Sequence, residues 1–280
     1  MNNDEIYKGS YIKFTNGKLS RKNYKSTSNT MYQIASCSKF ITSIVVAKLY
    51  ELNKLDYNTD INKYLKKWKC PTKGITLRHL LTHTSGSSDG NGYAGWYPQL
   101  KLPQNLQLNI DIISGNGTSK PFNVTNKIGK KFMYSGAGYQ VIQQVLEEIT
   151  NKRLYQLMEK YIFTPLHMEN STGKLLYEKN KYNNYDIANM NGFYMMYPET
   201  AAAGVWMSCN DLMILLTDIM NGYNDNNSKI LTQDTIKLLV NEEFLVWKSK
   251  NDNVKEYYGF GIITQISNNR KIFEHGGSNY

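Results

Sequence analysis

The chain is 280 residues long, 41% hydrophobic and 20% charged, enough for one large domain, or two lobes, around a sizeable core. No apolar run approaches the roughly 20 residues needed to span a bilayer, and Met1-Asn2-Asn3-Asp4-Glu5 lacks the basic-then-apolar layout of a secretory signal. The expectation is a cytoplasmic chain with no membrane span. The formal charge of +10 is nearly all lysine. Arginine, the residue suited to bidentate phosphate and base recognition, occurs only at Arg21, Arg78, Arg153 and Arg270. A solvated lysine-rich surface is therefore expected, and no nucleic-acid partner. Cys37, Cys70 and Cys209 are too few and scattered for a disulfide framework, and the histidines show no zinc-ligand spacing. No metal and no other cofactor is expected.

Residues 10 to 26 read as a short hairpin turning at Asn16-Gly17, a pair that readily supplies positive φ. Met31-Tyr32-Gln33-Ile34-Ala35 reads as a buried extended approach to a helix running from Ser36 to about Asn53. Phe40, Ile41, Ile44, Val45 and Leu49 recur on its core face. Cys37 lies about 100° round that helix from Ser36 and is expected to pack as a small apolar side chain. Ile75 to Leu81 begins a short helical element. From Gly86 to Lys131 the chain is loop-like, with Pro98, Pro103 and Pro121 around a short segment Asn109 to Ser114, and is expected to wrap a substrate cleft. Helical patterns follow at Tyr139–Thr150, Leu154–Tyr161, Asp211–Met220 and Thr232–Asn241, the third capped by Ser208 or Asn210. Tyr258 to Ile266 alternates as one strand and Lys271 to Gly276 as another. Strands at both ends with helices between them suggest an α+β body carrying an inserted helical lobe.

Three short segments carry chemistry. Ser36-Cys37-Ser38-Lys39 stands at the start of the first helix, with Ser36 and Lys39 one turn apart on one face. A serine hydroxyl becomes a useful nucleophile when a nearby base takes its proton, and a desolvated lysine can be that base. The N–H groups of a helix start also suit a developing oxyanion. An N-cap serine beside an exposed lysine explains the pair equally well when it is taken alone. Tyr134-Ser135-Gly136 opens a second helical pattern, and His275-Gly276-Gly277-Ser278 follows a strand-like run. Taken separately, these read as a buried tyrosine and a glycine-rich turn.

Their order, Ser-x-x-Lys, then a Tyr-Ser turn, then a basic residue followed by glycine, is that of the penicillin-recognising serine enzymes. Ile34-Ala35-Ser36-Cys37-Ser38-Lys39, Leu80-Leu81-Thr82-His83-Thr84-Ser85-Gly86 and Phe163-Thr164-Pro165-Leu166-His167-Met168 resemble the class C β-lactamase-like family. So does Pro198-Glu199-Thr200-Ala201-Ala202-Ala203-Gly204-Val205-Trp206. That family contains β-lactamases, D-Ala-D-Ala peptidases and esterases. The resemblance implies one β-lactamase/transpeptidase-like domain over 1–280: an antiparallel sheet flanked by helices (about 1–60 and 200–280) with a mainly helical lobe (about 61–199) inserted. It implies Ser36, Lys39 and Tyr134 as catalytic residues and an acyl-enzyme on Ser36. It also implies His275, Gly277 and Ser278 as substrate-binding, with the N–H groups of Ser36 and Ser278 as the oxyanion hole. The substrate class is a small ester, amide or peptide.

Two departures bear on that expectation. Gly136 stands where the family commonly has asparagine, and His275 where the β-lactamases carry lysine. Both point towards an esterase- or peptidase-like hydrolase rather than a specialised β-lactamase. In the family the basic-Gly strand is followed by further strands and a helix, whereas Tyr280 comes two residues after Ser278. The expectation is a truncated chain whose sheet is incomplete at its C-terminus. Either a complementing C-terminal fragment supplies the remainder, or the chain is a non-catalytic remnant or binding module.

Overall fold

The computed structural model describes residues 8–87, 92–93, 97–98, 108–116, 119–175, 187, 195–268 and 270–278. Much of the Gly86–Lys131 stretch expected to wrap a cleft lies outside them. At the N-terminus, β1 (Gly9–Thr15) and β2 (Lys18–Tyr24) form a hairpin that turns at Asn16 and Gly17, both at positive φ. β3 (Met31–Gln33) pairs with β7 (Trp206–Ser208), which also pairs with β5 (Ser171–Thr172). Two further short strands, β4 (Tyr97–Pro98) and β6 (Met195–Met196), pair with each other. β8 (Phe244–Lys248), β9 (Val254–Tyr258), β10 (Ile263–Ser267) and β11 (Arg270–Glu274) make an antiparallel meander in the order β11-β10-β9-β8.

The helix α1 (Ser38–Glu51) is the axis of the core. Eleven of its residues are buried, on every side of the helix, so it is enclosed rather than laid on a surface. Burying Ile41, Ile44, Val45 and Leu49 contributes about 1.5–3 kcal/mol per side chain. Around α1 pack α4 (Gly136–Thr150), α5 (Leu154–Met158) and α7 (Gln233–Leu239). Side-chain hydroxyls set the starts of four other helices: Thr76 caps α2 (Leu77–Leu81), Ser135 caps α4, Ser208 caps α6 (Cys209–Asp225) and Thr232 caps α7. The short helix α3 (Asn109–Ser114) ends on Gly115 in the left-handed region.

Three expectations need correction. The helix expected from Ser36 starts as a tight 3-10 turn over Ala35–Cys37 before α1 begins at Ser38. The helix expected to reach Tyr161 ends at Met158 and continues as a π turn, Glu159–Phe163. The single strand expected over Tyr258–Ile266 is two strands, β9 and β10, joined by Gly259-Phe260-Gly261-Ile262. The alternation there came from turn residues that are themselves buried: Phe260 and Ile262 point into the core. β8 carried no sequence signal that had been recognised.

The turn between β9 and β10 is wedged against α1. Gly261 sits at φ +74°, and a Cβ there would lie 2.1 Å from Ser43 Oγ and 3.0 Å from the Lys39 carbonyl oxygen. Left-handed backbone costs a residue with a Cβ about 1–2 kcal/mol before any clash. Gly261→Ala is expected to lower unfolding free energy by about 2–4 kcal/mol, read as a drop in urea midpoint at unchanged m-value.

Candidate active site

Ser36 is presented by a strained turn. The preceding Ala35 lies at φ +46°, a left-handed conformation that a side-chain-bearing residue adopts at a cost. It is held there by hydrogen bonds on both sides: Ile34 N–H donates to Val205 O (3.0 Å) and Cys37 N–H to Ile34 O (3.1 Å). Ser36 itself is half-buried.

Lys39, only 2% exposed, reaches back along α1. Its Nζ lies 3.2 Å from Ser36 Oγ and 2.9 Å from the Ala202 carbonyl oxygen. The same Nζ stands 4.7 Å from the ring centroid of Tyr134 and 5.6 Å from that of Tyr139. Segment 201–205 is sewn to α1 by further bonds, Thr42 Oγ1–H to Ala201 O and Val205 N–H to Ser38 Oγ. This run, singled out in the sequence by resemblance, thus supplies an acceptor for the lysine amine.

Tyr134 is 37% exposed and precedes the N-cap of α4. Its ring leans on His83, with centroids 4.3 Å apart. His83 is fully buried at positive φ, and its Nδ1 accepts from Ser135 N–H at 3.0 Å. On its other side, Nε2 of His83 meets Tyr258 Oη at 3.2 Å.

The third wall is the end of β11. His275 Nε2 lies 2.9 Å from Tyr258 Oη, and its Nδ1 lies 2.6 Å from Gly276 O. Both ring nitrogens are therefore engaged within the protein. Gly277 lies flat against the turn that carries Ser36: a Cβ there would come 2.4 Å from Ile34 O and 3.1 Å from Ser36 N. Glycine is required for that close approach, which sets Gly277 beside Ser36. Cys37, expected as core packing, is instead half-buried, and its Sγ–H donates to His275 O at 3.3 Å. It ties the Ser36 turn to the end of β11, and burial pushes its thiol pKa up, with Lys39 partly opposing.

Ser36 and Lys39, Tyr134, and His275 and Gly277, from three distant parts of the sequence, thus come together in one site. His83 and Tyr258 were missed as site residues. His83 was visible within Leu80–Gly86 only as part of a resemblance, and Tyr258 had no signal beyond its strand pattern. Among the described residues no group of three or more His, Cys, Asp or Glu gathers as a metal site, and no helix is long and apolar enough to cross a membrane.

The sequence profile of the Beta-lactamase family matches residues 3–280. The teichoic acid D-alanine hydrolase of Staphylococcus aureus (strain MRSA252) is 27% identical over 235 residues, covering 77% of this chain and 55% of that protein. The chain thus spans about half the length of the curated relatives it matches. Among solved structures, the octameric penicillin-binding protein homologue from Pyrococcus abyssi aligns with a TM-score of 0.75 at 22% identity, over 96% of this chain and 63% of that one. The D-amino acid amidase from Ochrobactrum anthropi SV3, complexed with D-phenylalanine, aligns at 0.72 and 16% identity, over 98% and 81%. The chain belongs to the beta-lactamase family, and its antiparallel sheets and packed helices form a β-lactamase/transpeptidase-like fold.

The histidines give the site a pH signature. Burial, then the positive charge of Lys39, then His275, hold the His83 pKa well below its usual 6.5. His275 is pushed down to about 4, chiefly by burial and further by Lys39, against the opposing bond to Gly276 O. Between these values and 6.5 the unfolded chain binds more protons than the folded one, so stability is full above about pH 6.5 and falls as pH drops towards 4. The urea midpoint is expected to be lower at about pH 5 than at about pH 7.5, and His275→Gln should shrink that difference.

Proposed function

We propose that this chain is a serine hydrolase that forms an acyl-enzyme on Ser36 and acts on small esters or amides rather than as a specialised β-lactamase. The observation that carries the reading is the 3.2 Å contact of Lys39 Nζ with Ser36 Oγ beside the face of Tyr134. Tyr134, its phenolate stabilised by the Lys39 ammonium, takes the Ser36 hydroxyl proton as Oγ attacks the carbonyl carbon. The oxygen of the tetrahedral intermediate is received by the N–H groups of Ser36 and Ser278, a role in which one donor is worth about 10²–10³ in rate. Tyr134 passes the proton to the departing alkoxide or amine, and water then attacks the acyl-Ser36 carbonyl by the same route in reverse. The named relatives act, by their names, on D-alanine linkages and D-amino acid amides, so D-aminoacyl esters are the first substrates to test.

A fluorophosphonate should add one adduct mass to the intact protein, located on Ser36 and absent from Ser36→Ala. Ester hydrolysis by Ser36→Ala and Lys39→Met should fall at least about 10³-fold, because members of such a unit fail together. A folded wild type that stays unmodified would sink the reading.

Selectivity follows from charge. A neutral imidazole at 275 offers no ammonium to the carboxylate of a β-lactam. One missing charge-assisted hydrogen bond, about 1.5–3 kcal/mol, is at least a tenfold factor. Short acyl esters are therefore expected to be cleaved at least about tenfold more efficiently (kcat/KM) than penicillins or cephalosporins, with equal efficiencies counting against this account.

A further inference from the structure

The cleft is backed by a chain of hydrogen bonds whose two ends are backbone groups of opposite kind. At one end Ser135 N–H can only donate, so His83 Nδ1 must be a lone-pair acceptor and the proton of its neutral ring sits on Nε2. That Nε2–H then donates to Tyr258 Oη. At the other end the Gly276 carbonyl can only accept, so His275 carries its proton on Nδ1 and presents Nε2 as an acceptor. The Tyr258 hydroxyl, already receiving from His83, donates to that Nε2. Along Ser135–His83–Tyr258–His275–Gly276 the two backbone groups fix both tautomers; the Tyr139 hydroxyl, which gives its own proton to the Leu81 carbonyl, also stands beside Tyr258 Oη. Reversing either imidazole puts two donors, or two acceptors, face to face.

We propose that His83, Tyr258 and His275 form a hydrogen-bond relay of fixed direction that positions the two walls of the cleft against each other. Resting on the hydrolase reading above, this makes all three positioning residues. The His83 end holds Ser135, hence the adjoining Tyr134, whose ring also stacks on the imidazole. The His275 end holds the strand terminus that brings Gly277 to the nucleophile's turn. Tyr258 is buried and sits on β9, so the sheet itself sets the spacing between proton acceptor and oxyanion donor. The surroundings keep both rings neutral. Lys39 repels a second positive charge at either one, and Phe132, Tyr134 and Tyr139 pack around His83. Around His275 stand Tyr258, Lys39 and the Cys37 thiol, which is bonded to its carbonyl.

The relay makes a prediction that no packing role makes: two histidines of one protein held in opposite tautomers. Imidazole-¹⁵N-labelled wild type at about pH 7 should show His83 protonated on Nε2 and His275 on Nδ1, with the ring signals assigned in the wild type by correlation to their own backbone amides. Averaged shifts at either ring, or the same tautomer at both, would overturn the proposal without any variant having to fold. In Tyr258→Phe the His275 signals should average between tautomers, and its titration midpoint should rise by about one unit once the bond favouring its neutral form is gone. Turnover of a nitrophenyl ester by Tyr258→Phe should fall about tenfold with KM within about twofold, since both positioned groups act in the transition state. Glutamine retains an acceptor and a donor, so His275→Gln should stay within about threefold of wild type while His275→Leu falls about tenfold. Equal losses in the two would mean packing alone and overturn the relay. Opposed tautomers in a wild type whose Ser36 resists the fluorophosphonate would support the relay and count against the hydrolase reading alone.

Discussion

The structure is organised by the need to bury one amine. Lys39 lies on a helix buried on every side, where a polar head without partners would cost several kcal/mol. Its Nζ is met by the Ala202 carbonyl, by Ser36 Oγ and by the faces of Tyr134 and Tyr139. Those partners come from three different parts of the chain. Satisfying the lysine therefore fixes segment 198–205, the turn that carries Ser36, and the start of α4. The same amine bears on the chemistry of its neighbours, because its charge helps keep His83 and His275 neutral.

Close backbone approaches gather around the same helix end. Ala35 is left-handed, Gly277 leaves no room for a Cβ against Ile34 and Ser36, and Gly261 presses on Ser43 and on the Lys39 carbonyl. Such positions persist only where the surroundings over-determine them, and the surroundings here are the dense core around α1. Stability generated along the apolar length of α1 thus offsets strain at its N-terminal tip, where Ser36 is presented. Arg78 of α2 reinforces the arrangement by pairing with Glu243 just before β8 and lying over the Phe260 ring, which joins the helices to the meander.

Local signals were legible where a single residue type has a short-range mechanism. Asn16-Gly17 turned the hairpin, and Ser208 capped α6 with its hydroxyl on Asp211 N–H. The apolar spacing of Phe40 to Leu49 gave α1 its position, although burial on all sides exceeds what a one-faced pattern describes. The signals misled where burial in the finished fold imitated a local period. Tyr258, Phe260, Ile262 and Thr264 alternate like one strand, yet all four are buried through a turn that only Gly261 permits. Cys37 was misplaced for a related reason. Its neighbour in space is the His275 carbonyl, 238 positions away in the chain.

The order of Ser36, Lys39, Tyr134 and the 275–278 segment was legible in the sequence, and the fold brings Ser36, Lys39, Tyr134 and Gly277 near one another. The sequence by itself also determined the chain's surplus of lysine and the position of its first long helix. Tertiary structure alone decided that His83 and Tyr258 stand behind those residues, and that the nitrogens of His275 turn inward to Tyr258 and Gly276. A motif records what a residue can donate, accept or attack with. Which partner occupies each lone pair is set by distances between elements far apart in the chain, and those exist only once the sheet and the helices have packed.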